Sequence, residues 1–206
     1  MPTTPAIGRC EVVVFAQDAN TSLGLLPLDR IAMLYEALAD RTARVGAEEA
    51  VKYEFTFENR GAESGLTLNH PHGQIYAYPL VPPVAARIQQ LSGEHYSKHG
   101  LGVLEQHIEA ESKDAVRMLY EGVHAVAFVR VCARYLYEVW VASIRPANSF
   151  TALTDAERAD LARALKTVLR KYDLQLHSAR KCRCSSTASA VSPSTQPSLH
   201  SGSSSR

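Results

Sequence analysis

Apolar and polar positions divide this chain into segments that can be read one at a time. Residues 10–16 (CEVVVFA) are a short β-branched run, which predicts a strand, and residues 18–22 behind them are polar and loop-like. Pro27-Leu28-Asp29 opens the next segment, in which Ile31, Leu34, Tyr35, Leu38 and Val45 recur at helical spacing. Val51, Tyr53, Phe55 and Phe57 then alternate with Lys52, Glu54, Thr56 and Glu58, predicting a strand with one buried and one wet face. The alternation puts Asn59 on the apolar side, where an amide needs a partner, either a backbone group or a ligand. Further on, residues 135–144 predict another strand, and Thr154-x-x-Glu157 is a capping box opening a helix with Leu161, Leu165, Val168, Leu169 and Tyr172 on one face.

The later strand-loop-helix resembles the earlier one. A shift of 127 residues aligns Glu11 with Glu138, Val12 with Val139, Val14 with Val141, Ser22 with Ser149 and Leu26 with Leu153. It also aligns Ala32, Leu34, Ala37 and Leu38 with Ala159, Leu161, Ala164 and Leu165. This reads as an internal duplication of a strand-helix unit. The same shift predicts a second copy of the segment around His72 near Leu199, where the chain reads only Pro197-Ser198-Leu199-His200-Ser201. The second copy is therefore expected to stop after its helix.

Composition places a boundary there too. The 206 residues hold 22 Lys+Arg, 21 Asp+Glu and 46% hydrophobic residues, ordinary for a globular protein. The last acidic residue is Asp173, after which come four cations and no carboxylate, so residues 1–173 carry −3 against +1 for the whole chain. Serine supplies 11 of the 29 residues from 178 to 206. Too few apolar side chains remain to offset the entropy of ordering, so residues 174–206 are expected to be a disordered tail. The abrupt change after Asp173 has the look of out-of-frame translation.

Several classes are excluded. The apolar stretch 123–144 is interrupted by His124, Arg130, Arg134 and Glu138, so no segment reads as a bilayer span. Met1-Pro2-Thr3-Thr4-Pro5 lacks the regions of a signal peptide, and a cytoplasmic protein is expected. Cys10, Cys132, Cys182 and Cys184 form no disulfide framework, and a near-zero net charge argues against a nucleic-acid partner.

The chemistry concentrates in residues 57–79, FENRGAESGLTLNHPHGQIYAYP. Gly61 and Gly65 permit tight turns and close approach to a ligand. His70, His72 and Gln74 fall at i, i+2 and i+4, on one face if the segment is extended, and Pro71 biases His70 towards that conformation. Gly73 leaves the opposite face open to whatever approaches it. A neutral imidazole beside an amide donor suits attack on phosphorus, with formation of a phosphoramidate that can pass the phosphoryl group on. Gln74 and backbone N–H groups around Gly65–Thr67 would then meet charge on the non-bridging oxygens. For H-x-H by itself, surface histidines in a turn or half of a structural zinc site remain open. His95, Lys98 and His99 read as solvated, and Tyr135, Tyr137 and Trp140 as core.

The full stretch resembles the galactose-1-phosphate uridylyltransferase family of the histidine-triad superfamily. Its pattern is F-E-N-[KR]-G, a Gly-containing loop, then H-P-H-G-Q-I and an aromatic residue, all present here at unbroken spacing, with weaker similarity over residues 8–172. The resemblance implies an α+β fold, a histidine-triad-like antiparallel sheet with helices in two repeats. The first would occupy residues 1–112, lacking its N-terminal part, and the truncated second residues 113–173. It implies that His72 takes UMP from UDP-glucose and gives it to galactose 1-phosphate. Gln74 would bond the transferred phosphoryl group, and Asn59, Gly65, Leu66 and Thr67 would contact the nucleotide. It further implies a zinc cofactor with His70 as a ligand, and a homodimer.

The departures matter as well. The family's upstream C-x-x-C pair is missing, and its further zinc histidine falls at Asp18-Ala19-Asn20, so one ligand remains and a closed tetrahedral site is not expected. A glutamate of the family's iron site aligns with Ile88. An inactive fragment, or a nucleotide-binding histidine-triad module without transfer, are the alternatives to an active enzyme.

Overall fold

The computed structural model describes residues 5, 7–60, 70–178 and 186–192, with side chains as far as residue 175. Gly65, Leu66 and Thr67 lie outside the described residues. The elements are β1 (Arg9–Val14), α1 (Leu28–Gly46), β2 (Tyr53–Arg60), β3 (His72–Tyr78), α2 (Pro83–His99), α3 (Val103–Asp114), β4 (Met118–Glu121), β5 (Ala125–Phe128), β6 (Trp140–Ser143), α4 (Asp155–Ser178) and β7 (Ser186–Ser192). They form two antiparallel sheets, one ordered β1-β3-β2-β7 and the other β4-β5-β6, with helices around them, an α+β architecture. Among the described residues no helix is long and apolar enough to cross a membrane.

The first sheet is arranged differently from its hydrophobic pattern. Register puts Glu11, Val13, Glu54, Thr56, Gly73, Ile75 and Ala77 on one face, and this face turns towards α1. Ile75 is fully buried, and Ala77 packs on Val45 of α1. Glu54, expected on the wet face, is 5% exposed because Thr42 Oγ1 of α1 donates to its Oε1 at 2.9 Å. Nearby, Arg41 grips Glu11 through two hydrogen bonds of 2.7 and 2.6 Å. Phe55 and Phe57, expected on the buried face, lie on the other side and are only half-buried. They cover one another and their neighbours, with ring centroids 5.1 Å apart for Phe55–Phe57 and for Phe57–Tyr76. Val51 and Tyr53 are buried as the alternation predicts, so the departure is confined to buried Glu54 and half-buried Phe55 and Phe57.

A second correction concerns residues 135–144. Only Trp140–Ser143 is strand, and the stretch before it turns, with Tyr137 at φ 62°. The Glu138 carboxylate accepts from the backbone N–H groups of Arg134 and Tyr135 and from Trp140 Nε1, which fixes the turn. Tyr135 and Tyr137 are exposed rather than core, and Trp140 lies under the Arg130 guanidinium. His95, Lys98 and His99 belong to α2; Lys98 and His99 are exposed, and the His95 and His99 rings are 4.4 Å apart.

Helices α1 and α4 pack together, so that Phe15, Leu23, Leu26 and Ile31 share one core with Ala162 and Leu169. Both helices start 127 residues apart, and each follows a 3-10 turn at the same offset, Leu23–Leu25 and Phe150–Ala152. The capping box at Thr154 forms as its sequence predicts, with Thr154 N–H donating to Glu157 at 2.8 Å and Glu157 N–H to Thr154 Oγ1 at 3.3 Å. Helix α4 also holds the second sheet: buried Asp160 accepts from Tyr120 OH and from the backbone N–H groups of His124 and Ala125 at 2.5 to 2.9 Å. Ser186–Ser192 pairs antiparallel with β2, whose edge would otherwise present unpaired backbone groups.

Candidate active site

The site grows from the corner where the chain enters β3. Pro71 has no N–H to give, and its carbonyl accepts from Phe15 N–H at 3.0 Å, which ties the corner to the end of β1. His72 begins the strand, and its Nδ1 lies 2.7 Å from the His70 carbonyl oxygen. A carbonyl oxygen only accepts, so Nδ1 carries the proton, and in the neutral ring Nε2 is left with the free lone pair. His70 Nε2 donates in the same way to the Ala16 carbonyl at 2.5 Å.

Around this corner a small cleft of about 50 Å³ is lined by Thr21, Ser22, Glu58, Asn59, Arg60, His70, Pro71 and His72. The structure thus brings Asn59, His70 and His72 together. His70 precedes the strand rather than continuing it, so the three-residue face shortens to His72 and Gln74, which alternate with buried Gly73 and Ile75. Gln74 lies outside the cleft wall, and its Oε1 accepts from Tyr76 OH at 3.0 Å.

The glycine between them serves the protein's own core. A Cβ on Gly73 would lie 2.9 Å from Phe15 Cζ and 3.2 Å from the Phe57 carbonyl oxygen, so Phe15 occupies the face expected to stay open.

Four lining residues were not singled out from the sequence. Glu58 and Arg60 flank Asn59 in the F-E-N-R-G stretch, and Arg60 Nε stands 3.4 Å from Glu58 Oε1. Burial pushes the Glu58 carboxyl above its ordinary pKa, against the pull of Arg60 and His72. Its place in the alternation assigned Glu58 to solvent, which concealed it. Thr21 and Ser22 come from the polar loop after β1, and only folding brings that loop here.

The described residues do not fit the zinc centre that the resemblance implies. Among them no three His, Cys, Asp or Glu side chains converge as a metal site. His70 Nε2 is engaged by Ala16, Asp18 Oδ1 accepts from Asn20 N–H, and Cys10 and Cys132 are free and exposed. The donor set is one imidazole where a closed tetrahedral site needs four ligands.

Comparison with known proteins places these features. Residues 1–82 match the family described as galactose-1-phosphate uridyl transferase, N-terminal domain. The chain is 39% identical over 167 residues to the galactose-1-phosphate uridylyltransferase of Thermotoga maritima, covering 81% of this chain and 52% of that protein. It is 37% identical over 166 residues to that of Streptomyces lividans, covering 47% of it. A solved uridylyltransferase structure superposes with a TM-score of 0.73 at 37% identity, over 77% of this chain and 51% of the other. An ADP-glucose phosphorylase from Arabidopsis thaliana with bound ADP-glucose gives 0.72 at 25% identity, over 82% and 53%. The chain spans about half the length of the curated relatives it matches.

Proposed function

The chain belongs to the galactose-1-phosphate uridylyltransferase family over the part these comparisons cover, and on that premise we propose that it transfers UMP from UDP-glucose to galactose 1-phosphate through a uridylylated His72. The observation that carries this reading is the hydrogen bond from His72 Nδ1 to the His70 carbonyl, which leaves Nε2 as the nucleophile.

In the first half-reaction Nε2 attacks the α-phosphorus of UDP-glucose. A P–N bond forms as the bond from that phosphorus to the bridging oxygen breaks, and glucose 1-phosphate leaves with the bonding pair. The positive charge that develops on the ring is shared through Nδ1–H with the His70 carbonyl, and no proton need leave. In the second half-reaction a phosphate oxygen of galactose 1-phosphate attacks the same phosphorus, the P–N bond breaks, and UDP-galactose and neutral His72 result. Gln74 donates to the non-bridging oxygens, where charge accumulates as phosphorus becomes five-coordinate. Asn59 on the cleft wall, with Gly65, Leu66 and Thr67, contacts the nucleotide. No step needs a metal from this chain.

The test is incubation of the purified protein with UDP-glucose, followed by intact mass spectrometry. A UMP adduct that is absent in His72→Ala and discharged by galactose 1-phosphate is expected. A folded chain that binds UDP-glucose without forming the adduct would be a nucleotide-binding module, and one that does neither would be an inactive fragment; either result refutes transfer.

A further inference from the structure

We propose that Tyr76 is a positioning residue: its hydroxyl, donating to Gln74 Oε1, sets the orientation of the Gln74 amide so that the N–H end faces the phosphoryl group on His72. This rests on the reading of Gln74 as the donor to that group.

The argument starts from symmetry. A glutamine amide presents an acceptor at one end and two donors at the other, and the two orientations have nearly the same shape. Only one of them helps a reaction on phosphorus, because Oε1 turned towards the non-bridging oxygens would repel the charge it should stabilise. Something must break the symmetry, and along β3 the residues on the same face are His72 on one side of Gln74 and Tyr76 on the other. Tyr76 OH lies 3.0 Å from Gln74 Oε1. With its oxygen engaged at the Tyr76 end, the planar amide turns its N–H end away from Tyr76, the direction in which His72 lies.

The phenol is itself held in place. Its ring meets Phe57 edge-on at 5.1 Å and Tyr78 at 6.2 Å, and Cys10 stands opposite it in the register of β1 and β3. Charge repulsion from Cys10, then burial and a hydrogen bond with Cys10, raise the phenol above its ordinary pKa. Phe57, which clamps the ring, is also the residue opposite Gln74 on β2.

A double-mutant cycle on the rate of His72 uridylylation by UDP-glucose, in the full chain, tests this. Tyr76→Phe keeps the ring and its packing and removes only the hydroxyl, and is expected to slow uridylylation about tenfold with UDP-glucose binding and the urea midpoint unchanged. Gln74→Ala is expected to slow it further, and the double variant to be no slower than Gln74→Ala, because Tyr76 acts through Gln74. An unchanged rate in Tyr76→Phe, or the same slowing in the Gln74→Ala background, would overturn the proposal. If the parent chain forms no adduct, the transferase reading falls, and the side-chain amide resonances of Gln74 decide the orientation separately. Those resonances are expected to move and their proton exchange to quicken in Tyr76→Phe; unchanged signals would refute the link.

Discussion

Gly73→Ala joins the core to the chemistry in one methyl group. Carbon atoms in good contact sit about 3.5–4.0 Å apart, whereas the added Cβ would stand 2.9 Å from Phe15 Cζ and 3.2 Å from Phe15 Cε1. The ring cannot swing aside freely, since Phe15 is 9% exposed and packed in the α1–α4 core. Overpacking of this kind costs about 1–3 kcal/mol, and the alternative relief is a displacement of β3 that carries His72 and Gln74 with it. The variant is therefore expected to lose about 2 kcal/mol in urea unfolding and at least tenfold in His72 uridylylation. Phe15→Leu removes the clashing ring edge, so adding Gly73→Ala to it should cost at least about 1 kcal/mol less than adding it to the parent chain. Equal costs in the two backgrounds, or a loss below about 0.3 kcal/mol, would refute the assignment of this glycine to Phe15.

Asp160→Asn is expected to cost about 2–3 kcal/mol, because an amide in its place turns N–H groups towards donors; fluorescence of the single tryptophan, Trp140 on β6, reports the unfolding of that sheet. Burial would raise the Asp160 pKa, but the hydrogen bonds from Tyr120, His124 and Ala125 together hold it below its ordinary value. Its contribution is thus present above the ordinary aspartate range and lost as the pH falls through the lowered folded value, and the acid limb of stability should flatten in the variant. Glu54→Gln should act in the opposite sense. Burial pushes the Glu54 carboxyl up more than the Thr42 and Thr56 hydroxyls pull it down, and its Oε2 is buried without a hydrogen-bond partner. The folded state favours the protonated form, so the parent chain loses stability as the pH rises past the ordinary carboxyl range towards the raised folded value. The amide removes that slope and adds about 1 kcal/mol at neutral pH, measured as a higher urea midpoint.

What the sequence displays depends on whether the cause is local. The start of α1 and the capping box at Thr154 rest on neighbouring residues, and both form as read. H-P-H-G-Q is contiguous, so His72 and Gln74 could be placed on one face before any tertiary contact was known. The alternation running into β2 shows the burial of Val51 and Tyr53 but not that of Glu54, because its buried partner Thr42 lies twelve positions away. The aromatic and β-branched residues 135–139 look like strand, yet three hydrogen bonds to Glu138 turn them into a loop. Thr21 and Ser22 carry no chemical signature of their own, and they reach the cleft because β1 runs antiparallel beside β3 and delivers the loop that follows it.

The shared core of α1 and α4 has a consequence for how this protein would be perturbed from a distance. Helix α4 contributes no side chain to the cleft, yet its Ala162 and Leu169 belong to the same buried cluster as Ile31 and Phe15, and Phe15 is the ring beneath Gly73. His72 therefore follows a cluster, through Phe15 under Gly73, whose far members are almost a hundred residues along the chain. A proteolytic nick, a chaperone or a substitution that lifts α4 away would be felt as slack under His72, so the adduct-forming rate doubles as a gauge of whether the distant helix is seated.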